Sequence, residues 1–356
     1  MPTLRQAQGE RRRIAQIEIL PLNLPMRRPF VTALGRKEIS RNLGVIVRLQ
    51  DGTAGYGEAS ASLAWPDQTQ AGMKRALARV ASRAAGTEIR CYKELSRRAW
   101  ETAGEFPPAV AALECALLDA YTRTQGISLW KFFGGRCRSV VTSLTISAWP
   151  AGAAARAARG AAKNGFRRLK VKLSGRDPAG DLQRLLAVHH AAPKAALWLD
   201  GNQGFTPEQA IRFCSLARSK SLPVRLFEQP VAKKDWGGLA RVQRETGIPV
   251  VADESARAVA DAKELIRRRA VSVINVKLAK CGPFGALEII RLAKKAGVRL
   301  MIGCMAESAA GLAPSVALAC GTGAFDYVDL DSHLLVVSPP GRAGFRGRGP
   351  LLSIDP

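Results

Sequence analysis

Two patterns of apolar and polar positions divide this chain. From Ile14 to about residue 60 the apolar residues fall in strand-like runs. Ile14–Leu24 is apolar and partly alternating, while Asn42–Leu49 and Ala54–Glu58 flank Asp51-Gly52, a hairpin turn signal. Helical patterns follow at Asp67–Ala85, Cys91–Thr102 and Pro108–Thr124, the last with a proline suited to a first turn. Strands followed by helices predict an α+β unit. From about Val140 the pattern becomes a regular alternation. Strand-like runs at 139–146, 167–173, 196–200, 224–228, 249–252, 271–277, 299–302 and 325–329 are separated by helical stretches such as Pro178–Ala191, Thr206–Ala217 and Pro283–Ala296. Eight strands in strict alternation favour a closed (β/α) barrel over a doubly wound sheet, which counting alone does not exclude.

The expected organisation has four parts. Residues 1–13 read as a disordered basic extension, 14–136 as the α+β unit, 137–333 as the barrel, and 334–356 as a C-terminal segment. That last segment is rich in Gly, Pro and Arg, and it is expected to pack back on the N-terminal unit.

Charged residues close successive barrel strands. Lys170-Val171-Lys172 comes first, then Asp200, Glu228, Asp253 and Lys277, with spacings of 28, 25 and 24 residues from Asp200 onward. Each spacing is one strand plus one helix. In a (β/α) barrel the strand C-termini meet at one mouth, where catalytic groups sit. Three carboxylates there suit a hard divalent cation, and Mg²⁺ is the expected ion because it takes oxygen ligands and keeps positions open for substrate. Period-two alternation turns Lys170 and Lys172 to the same face. Their mutual repulsion, and a nearby metal, would depress a lysine pKa and free an amine to act as base. Lys277 ends the sixth strand, roughly across the barrel from Lys172 on the second. Two amines on opposite faces of one bound carbon can invert a stereocentre: one removes the α-proton, the other delivers a proton to the far side. A metal on the substrate carboxylate would stabilise the enediolate that forms.

Three further positions complete the mouth. Asp329 and Asp331 bracket Leu330 at the end of the eighth strand and should face the same way. Such a pair suits a cationic group on a substrate, such as a free α-ammonium, as readily as an acidic strand end paired with local arginines. Asn202, two residues past Asp200, reads equally as a mouth residue or as a turn residue. Lys280 reads as a solvated loop lysine.

Charge and composition narrow the class. The formal net charge of +25 is an expected footprint of nucleic-acid binding. The arginines, however, are spread over nearly every predicted helix with only modest clusters at 11–13 and 267–269. Aromatic residues are few and no nucleic-acid module is recognisable. A solvated arginine-rich surface is the expectation, with a field that attracts anionic substrates. No apolar run reaches the length of a membrane span, and the start of the chain has no apolar core of a secretory signal. Seven scattered cysteines, with no CxxC pair, suit a reducing cytoplasm, the expected location. Three histidines supply a zinc or histidine mechanism poorly.

The residues at the strand ends resemble those of the enolase superfamily, in its muconate-lactonizing subgroup, across essentially residues 14–350. The matching segments are Lys170-Val171-Lys172, Asp200-Gly201-Asn202-Gln203-Gly204, Phe227-Glu228-Gln229-Pro230, Ala252-Asp253-Glu254-Ser255 and Ile274-Asn275-Val276-Lys277-Leu278. Gly126–Gly135 resembles the link between the two domains. The resemblance implies an N-terminal capping domain on a modified (β/α) barrel. It implies Mg²⁺ held by Asp200, Glu228 and Asp253, with Lys172 and Lys277 as the acid/base pair. Lys170 would neutralise and orient the substrate carboxylate. Asp329-Leu330-Asp331 resembles the pair that holds the N-terminal ammonium in dipeptide epimerases. The segment from Gly303 to Ser308, with Met305, likewise resembles their seventh-strand segment. The implied function is dipeptide epimerization at the C-terminal residue. Homo-oligomers are common in the superfamily, so self-association is also implied.

One departure bears on specificity. The arginine that meets a glutamate side chain in Ala-Glu epimerases falls on Gly35 here, with Arg36 and Lys37 as its neighbours. Arg36 is the candidate substitute; a lysine lacks the planar fork that grips a carboxylate. Pro25–Gly35 and Ala59–Trp65 are the expected specificity loops over the mouth. The alternatives are N-acylamino acid racemization, o-succinylbenzoate synthesis or cycloisomerization on the same fold, and a basic nucleic-acid-binding protein.

Overall fold

The computed structural model describes residues 12–339 and 343–355. Residues 1–11 of the expected extension lie outside them. Arg12 and Arg13 are docked: the carbonyl of Arg12 accepts from Ile89 N at 3.0 Å, that of Arg13 from Gln50 N at 2.9 Å, and the Arg13 guanidinium pairs with Glu88.

The N-terminal unit is an antiparallel sheet of β1 (Ile14–Thr32), β2 (Gly35–Leu49) and β3 (Ala54–Ala59), in that order. Three helices follow: α1 (Gln70–Ala81), α2 (Tyr92–Ala103) and α3 (Pro107–Thr124), with a short α4 (Leu129–Phe132). The first two are amphipathic. Met73, Ala76, Leu77 and Val80 recur at helical spacing on the buried side of α1. By contrast α3 is apolar almost all round, because it is covered on two sides, by β3 and by a helix of the barrel.

The first expected specificity loop is largely strand: β1 runs on to Thr32, which pairs with Gly35 across the turn Ala33-Leu34, and the register on β2 is broken between Pro25 and Phe30, where Met26–Pro29 bulge out of the ladder. Gly35 sits at φ 141°, a conformation that an L side chain rarely adopts.

The expected single run 139–146 is two strands. Its first part, β4 (Ser139–Val141), joins a three-stranded sheet with β13 (Phe345–Arg348) and β14 (Leu351–Ile354), while β5 (Leu144–Ile146) enters the barrel. The break at Thr142-Ser143 has a cause. Ser143 N donates to Val328 O at 2.9 Å, and Leu330 N donates to Thr142 Oγ1 at 2.8 Å, which ties the first barrel strand to the eighth. The C-terminal segment therefore pairs with β4. Among its described residues, Val336 bridges to Met26 of the N-terminal hairpin and the Val337 N–H donates to Pro25 O at 2.8 Å.

The barrel strands are β5, β6 (Arg168–Lys172), β7 (Ala196–Asp200), β8 (Val224–Glu228), β9 (Val250–Ala252), β10 (Val273–Val276), β11 (Arg299–Gly303) and β12 (Tyr327–Asp329), in sequential parallel order. Helices α5 (Ala151–Lys163), α6 (Pro178–Ala191), α7 (Pro207–Ser219), α8 (Trp236–Thr246), α9 (Val259–Arg267), α10 (Leu278–Ala296) and α11 (Ala309–Thr322) separate them, and α12 (Ser332–Leu335) follows β12. The parallel strands are nearly continuous apolar runs because both faces are covered. Inside, Trp198, Leu226, Val251, Val273 and Met301 form a plug, with Tyr327 packed against it. Two residues further along the same strands stand Asp200, Glu228, Asp253, Asn275, Gly303 and Asp329. Period two therefore places a polar layer directly above an apolar one.

Candidate active site

The polar layer is held together by ammonium–carboxylate contacts. Lys172 Nζ donates to Asp200 Oδ2 at 2.6 Å and to Asn202 Oδ1 at 3.1 Å. Lys277 Nζ donates to Asp253 Oδ2 at 2.6 Å. Lys170 Nζ lies 2.7 Å from Asp329 Oδ2, 2.7 Å from Glu228 Oε2 and 3.1 Å from Asp200 Oδ2. All three lysines are buried, at 2%, 7% and 8% exposure for Lys170, Lys172 and Lys277. Burial of that many charges is tolerable only because each has an opposite partner.

The electrostatics follow from the pairing. Burial opposes the charge on Lys170, yet Asp329, Glu228 and Asp200 outweigh it and raise its pKa well above the ordinary range. Burial likewise opposes Lys277, and Asp253 more than compensates, so its pKa is raised. For Lys170 the sign is opposite to the depression expected from its repulsion by Lys172, because three carboxylates surround its ammonium. Asp200 and Asp253 are pulled below the usual range by their lysines despite burial. Glu228 is pushed up to about 8, by burial first and also by Asp200 and Asp253.

Asp200, Glu228 and Asp253 offer only oxygen donors, on three successive strands. Glu228 Oε2 is buried without a hydrogen bond, although Lys170 Nζ is near it. Among the described residues no three acidic, Cys or His side chains form a finished coordination shell; the ammonium groups lie among the carboxylates. The donor chemistry, and the crowding of carboxylates that raises the Glu228 pKa, fit a hard divalent cation at this position.

Asp329 and Asp331 are both buried at the mouth, but they differ. Asp329 is matched: it accepts from Lys170 Nζ and from Ser143 Oγ, each at 2.7 Å. Asp331 accepts from Thr145 N at 2.6 Å, and burial together with Asp329 raises its pKa to about 6. The expected unmatched pair is thus one ion-paired acid and one acid with an open side.

The remaining site residues divide. Met305 lines the cavity above the lysines. Gly303 supplies clearance: a Cβ there would lie 2.8 Å from Lys277 Cε and 2.7 Å from Asn275 Oδ1. Arg36 is not brought to the cavity. It is exposed and bound to Glu38 at 2.6 Å, because alternation along β2 turns it outward and turns Lys37 inward. Lys37 lines the cavity, donates to Ala61 O at 2.7 Å, and is lowered by burial to about 8.

Several residues were misplaced, left open or missed in the sequence reading. Lys280 is not solvated. It is 3% exposed, and its ammonium donates to Asp253 Oδ1 at 2.9 Å, Asp253 O at 2.8 Å and Asn275 O at 2.7 Å. The helix α10 is interrupted at Gly282 (φ 65°), just after the turn that carries Lys280. Asn202 is in the site; it also donates to Glu254 Oε1 at 3.2 Å. Glu254 itself is raised to about 7 by burial, then by Asp253 and Asp200. A second network joins the two units. Glu58 accepts from Asn42 Nδ2 at 2.8 Å, from Ser308 N at 3.0 Å and from Ser308 Oγ, while Asn42 Nδ2 also donates to Ala306 O at 2.8 Å. The one available signal was the polar pair Glu307-Ser308 after the seventh strand.

A capping unit over the barrel mouth, with two lysines across a carboxylate layer, defines the class as a capped-barrel enzyme. Comparison with known proteins gives the particular family. The pattern described as "Enolase C-terminal domain-like" matches residues 152–338, and "Mandelate racemase / muconate lactonizing enzyme, N-terminal domain" matches 14–134. An aromatic dipeptide epimerase of Herpetosiphon aurantiacus is 40% identical over 341 residues, 96% of each chain. A crystal structure of a mandelate racemase/muconate lactonizing protein from the same organism superposes with TM-score 0.93 at 39% identity, over 97% of this chain and 96% of that one. A dipeptide epimerase of Enterococcus faecalis, solved with Mg and the dipeptide L-Leu-L-Tyr, superposes with TM-score 0.90 at 28% identity, over 96% and 97%. This chain belongs to the mandelate racemase / muconate lactonizing enzyme family of the enolase superfamily, alongside its dipeptide epimerases. No helix among the described residues is long and apolar enough to cross a membrane.

Proposed function

We propose that this protein is a Mg²⁺-dependent dipeptide epimerase that inverts the α-carbon of the C-terminal residue. The observation that carries the reading is the placement of Lys172 and Lys277. They stand at the ends of β6 and β10, four strands apart in an eight-stranded barrel, each on its own acid. A carbon acid held between them meets an amine on each face. One lysine, in its neutral form, takes the α-proton, and the opposite ammonium gives a proton to the other face. Each such group contributes about 10²–10⁴-fold to rate. Asp200, Glu228 and Asp253 would hold the cation, which when bound supplies positive charge against the substrate carboxylate. Lys170 neutralises that carboxylate from below, and Asp331 takes the α-ammonium on its open side.

The capping unit's contributions to the cavity include Met26, Phe30, Leu34, Leu63 and Trp65, with Lys37 the lone charge among them. The Phe30 ring centre is 5.6 Å from Lys172 Nζ. An apolar roof over the reacting carbon supports a large apolar C-terminal residue over glutamate. The name of the 40% identical relative, an aromatic dipeptide epimerase, points the same way.

The test is α-proton exchange in D₂O, read by mass spectrometry, with pooled L,L-dipeptides and pooled N-succinylamino acids. A gain of one mass unit in dipeptides with apolar C-terminal residues is expected, abolished by EDTA and restored by Mg²⁺. Exchange confined to N-succinylamino acids would refute the dipeptide assignment, and indifference to EDTA would refute the metal.

A further inference from the structure

A second cavity adjoins the first. It is lined by residues from β1, the loop after β5, α5 and α12, and has a volume of about 570 Å³. Met26, Phe30, Thr145 and Leu335 line both spaces and form the wall they share. The reaction proposed above makes no use of the second one.

Its chemistry is one-sided. Arg27, Arg28 and Arg156 line it, and no Asp or Glu does. Among the described residues none of these three arginines forms an ion pair. The Arg28 guanidinium lies over the Trp149 ring at 5.9 Å, and the Trp149 indole N–H is fixed on Pro29 O at 2.7 Å, so the arginine rests on an anchored platform. Arg156 stands on α5, whose sequence carries Arg156, Arg159 and Lys163 and no acid. His333 also lines the cavity, with its ring nitrogens turned into the protein rather than toward the space.

Position then selects the ligand. Thr145 N holds Asp331, the group assigned to the substrate α-ammonium, and Thr145 also lines the second cavity. The α-ammonium and the side chain diverge from one carbon. A dipeptide anchored at Asp331 therefore sends the side chain of its N-terminal residue past Thr145 towards the arginines. We infer that the second cavity is the subsite for the N-terminal side chain and that it selects an acidic residue there, glutamate or aspartate. This rests on the dipeptide reading of the main site. Each arginine is exposed, so each contributes little alone, and the three together give on the order of tenfold. That preference weakens with salt, because exposed charges are screened.

The experiment compares L-Glu-X, L-Gln-X, L-Ala-X and L-Lys-X, with X one apolar residue, in the D₂O exchange assay on the full chain. The wild type is expected to favour Glu-X over Gln-X by about tenfold in kcat/KM at low salt, with Lys-X last. In Arg27→Ala/Arg156→Ala the Glu-X to Gln-X ratio is expected to fall to near one, and in Arg156→Glu the order of Glu-X and Lys-X is expected to reverse. Equal kcat/KM for Glu-X and Gln-X in the wild type would overturn the inference while leaving the epimerase intact. So would a stimulation of Ala-X turnover by inorganic phosphate, which would make the cavity a site for a separate anion. Absence of exchange in every dipeptide would instead remove the reading on which the inference stands.

Discussion

Lys170 Nζ donates to Asp329 Oδ2 across 2.7 Å, which joins the second and eighth barrel strands through one buried ion pair. The pair separates the roles of two acids that look alike in sequence. Asp329 serves Lys170, and Asp331 is left to face the cavity. Asp331→Asn is expected to raise KM for free dipeptides by at least tenfold and to change N-acylated analogues far less, in parallel steady-state assays. Asp329→Asn is expected to act mainly on stability. Removing the sole partner of a buried charge costs about 3–5 kcal/mol. Lys170 keeps Glu228 and Asp200, so about 2 kcal/mol is expected in urea unfolding. Equal losses on both substrate classes for Asp331→Asn would contradict the division.

Lys172→Ala and Lys277→Ala are each expected to abolish net epimerization, with a fall of 10³-fold or more, as expected when a general acid/base is removed outright. Each variant keeps one amine, so each is expected to exchange the α-proton of only one enantiomer in D₂O. NMR of separate L,L and L,D substrates reads this directly. Full turnover in both variants would end the two-base mechanism.

Glu58 binds the capping unit to the segment after β11, since the backbone and side chain of Ser308 both donate to it. That segment includes Met305 and Ala306, which form part of the cavity wall. Glu58→Ala leaves Asn42 and Ser308 buried with donors unmet, at about 1–3 kcal/mol for each unsatisfied group. The expected outcome is a lower Tm together with a rise in KM that exceeds any fall in kcat. Glu58→Gln, which keeps an acceptor oxygen, is expected to recover most of both.

Glu114 lies in α3 against α10, where it accepts from Trp100 Nε1 at 2.7 Å and from Ser96. Burial pushes its pKa up to about 7. A carboxyl whose folded pKa exceeds its unfolded value binds its proton more tightly in the native state. Its contribution is full below about pH 4.5 and is lost as pH rises through about 7. Wild-type stability is therefore expected to lose on the order of 2–3 kcal/mol from this group between those limits. Glu114→Gln carries no such charge, and the difference between the two pH profiles isolates the contribution. Identical profiles would show that the carboxylate stays ionised.

Local chemistry was legible along the chain wherever one short segment decides the outcome. The strand runs, the barrel alternation and the acids and lysines at strand ends follow from period two and from the rule that parallel strands end at one mouth. Asp200, Glu228, Asp253 and Lys277 could be set side by side on that basis because each closes its own strand. Residues whose partners lie far along the chain were not legible. Lys280 reaches Asp253 across 27 residues, from the turn of α10 that precedes the break at Gly282. Glu58 meets Ser308 across 250 residues. Which of Arg36 and Lys37 enters the cavity depended on the register of a hairpin that the sequence had suggested was a loop. The pairing of Asp329 with Lys170 spans 159 residues and two strands. Periodicity tells which face a side chain occupies. It does not tell which opposite charge waits on the strand across the barrel, and that choice sets the pKa values, the open side of Asp331 and the arginine-lined space beside it.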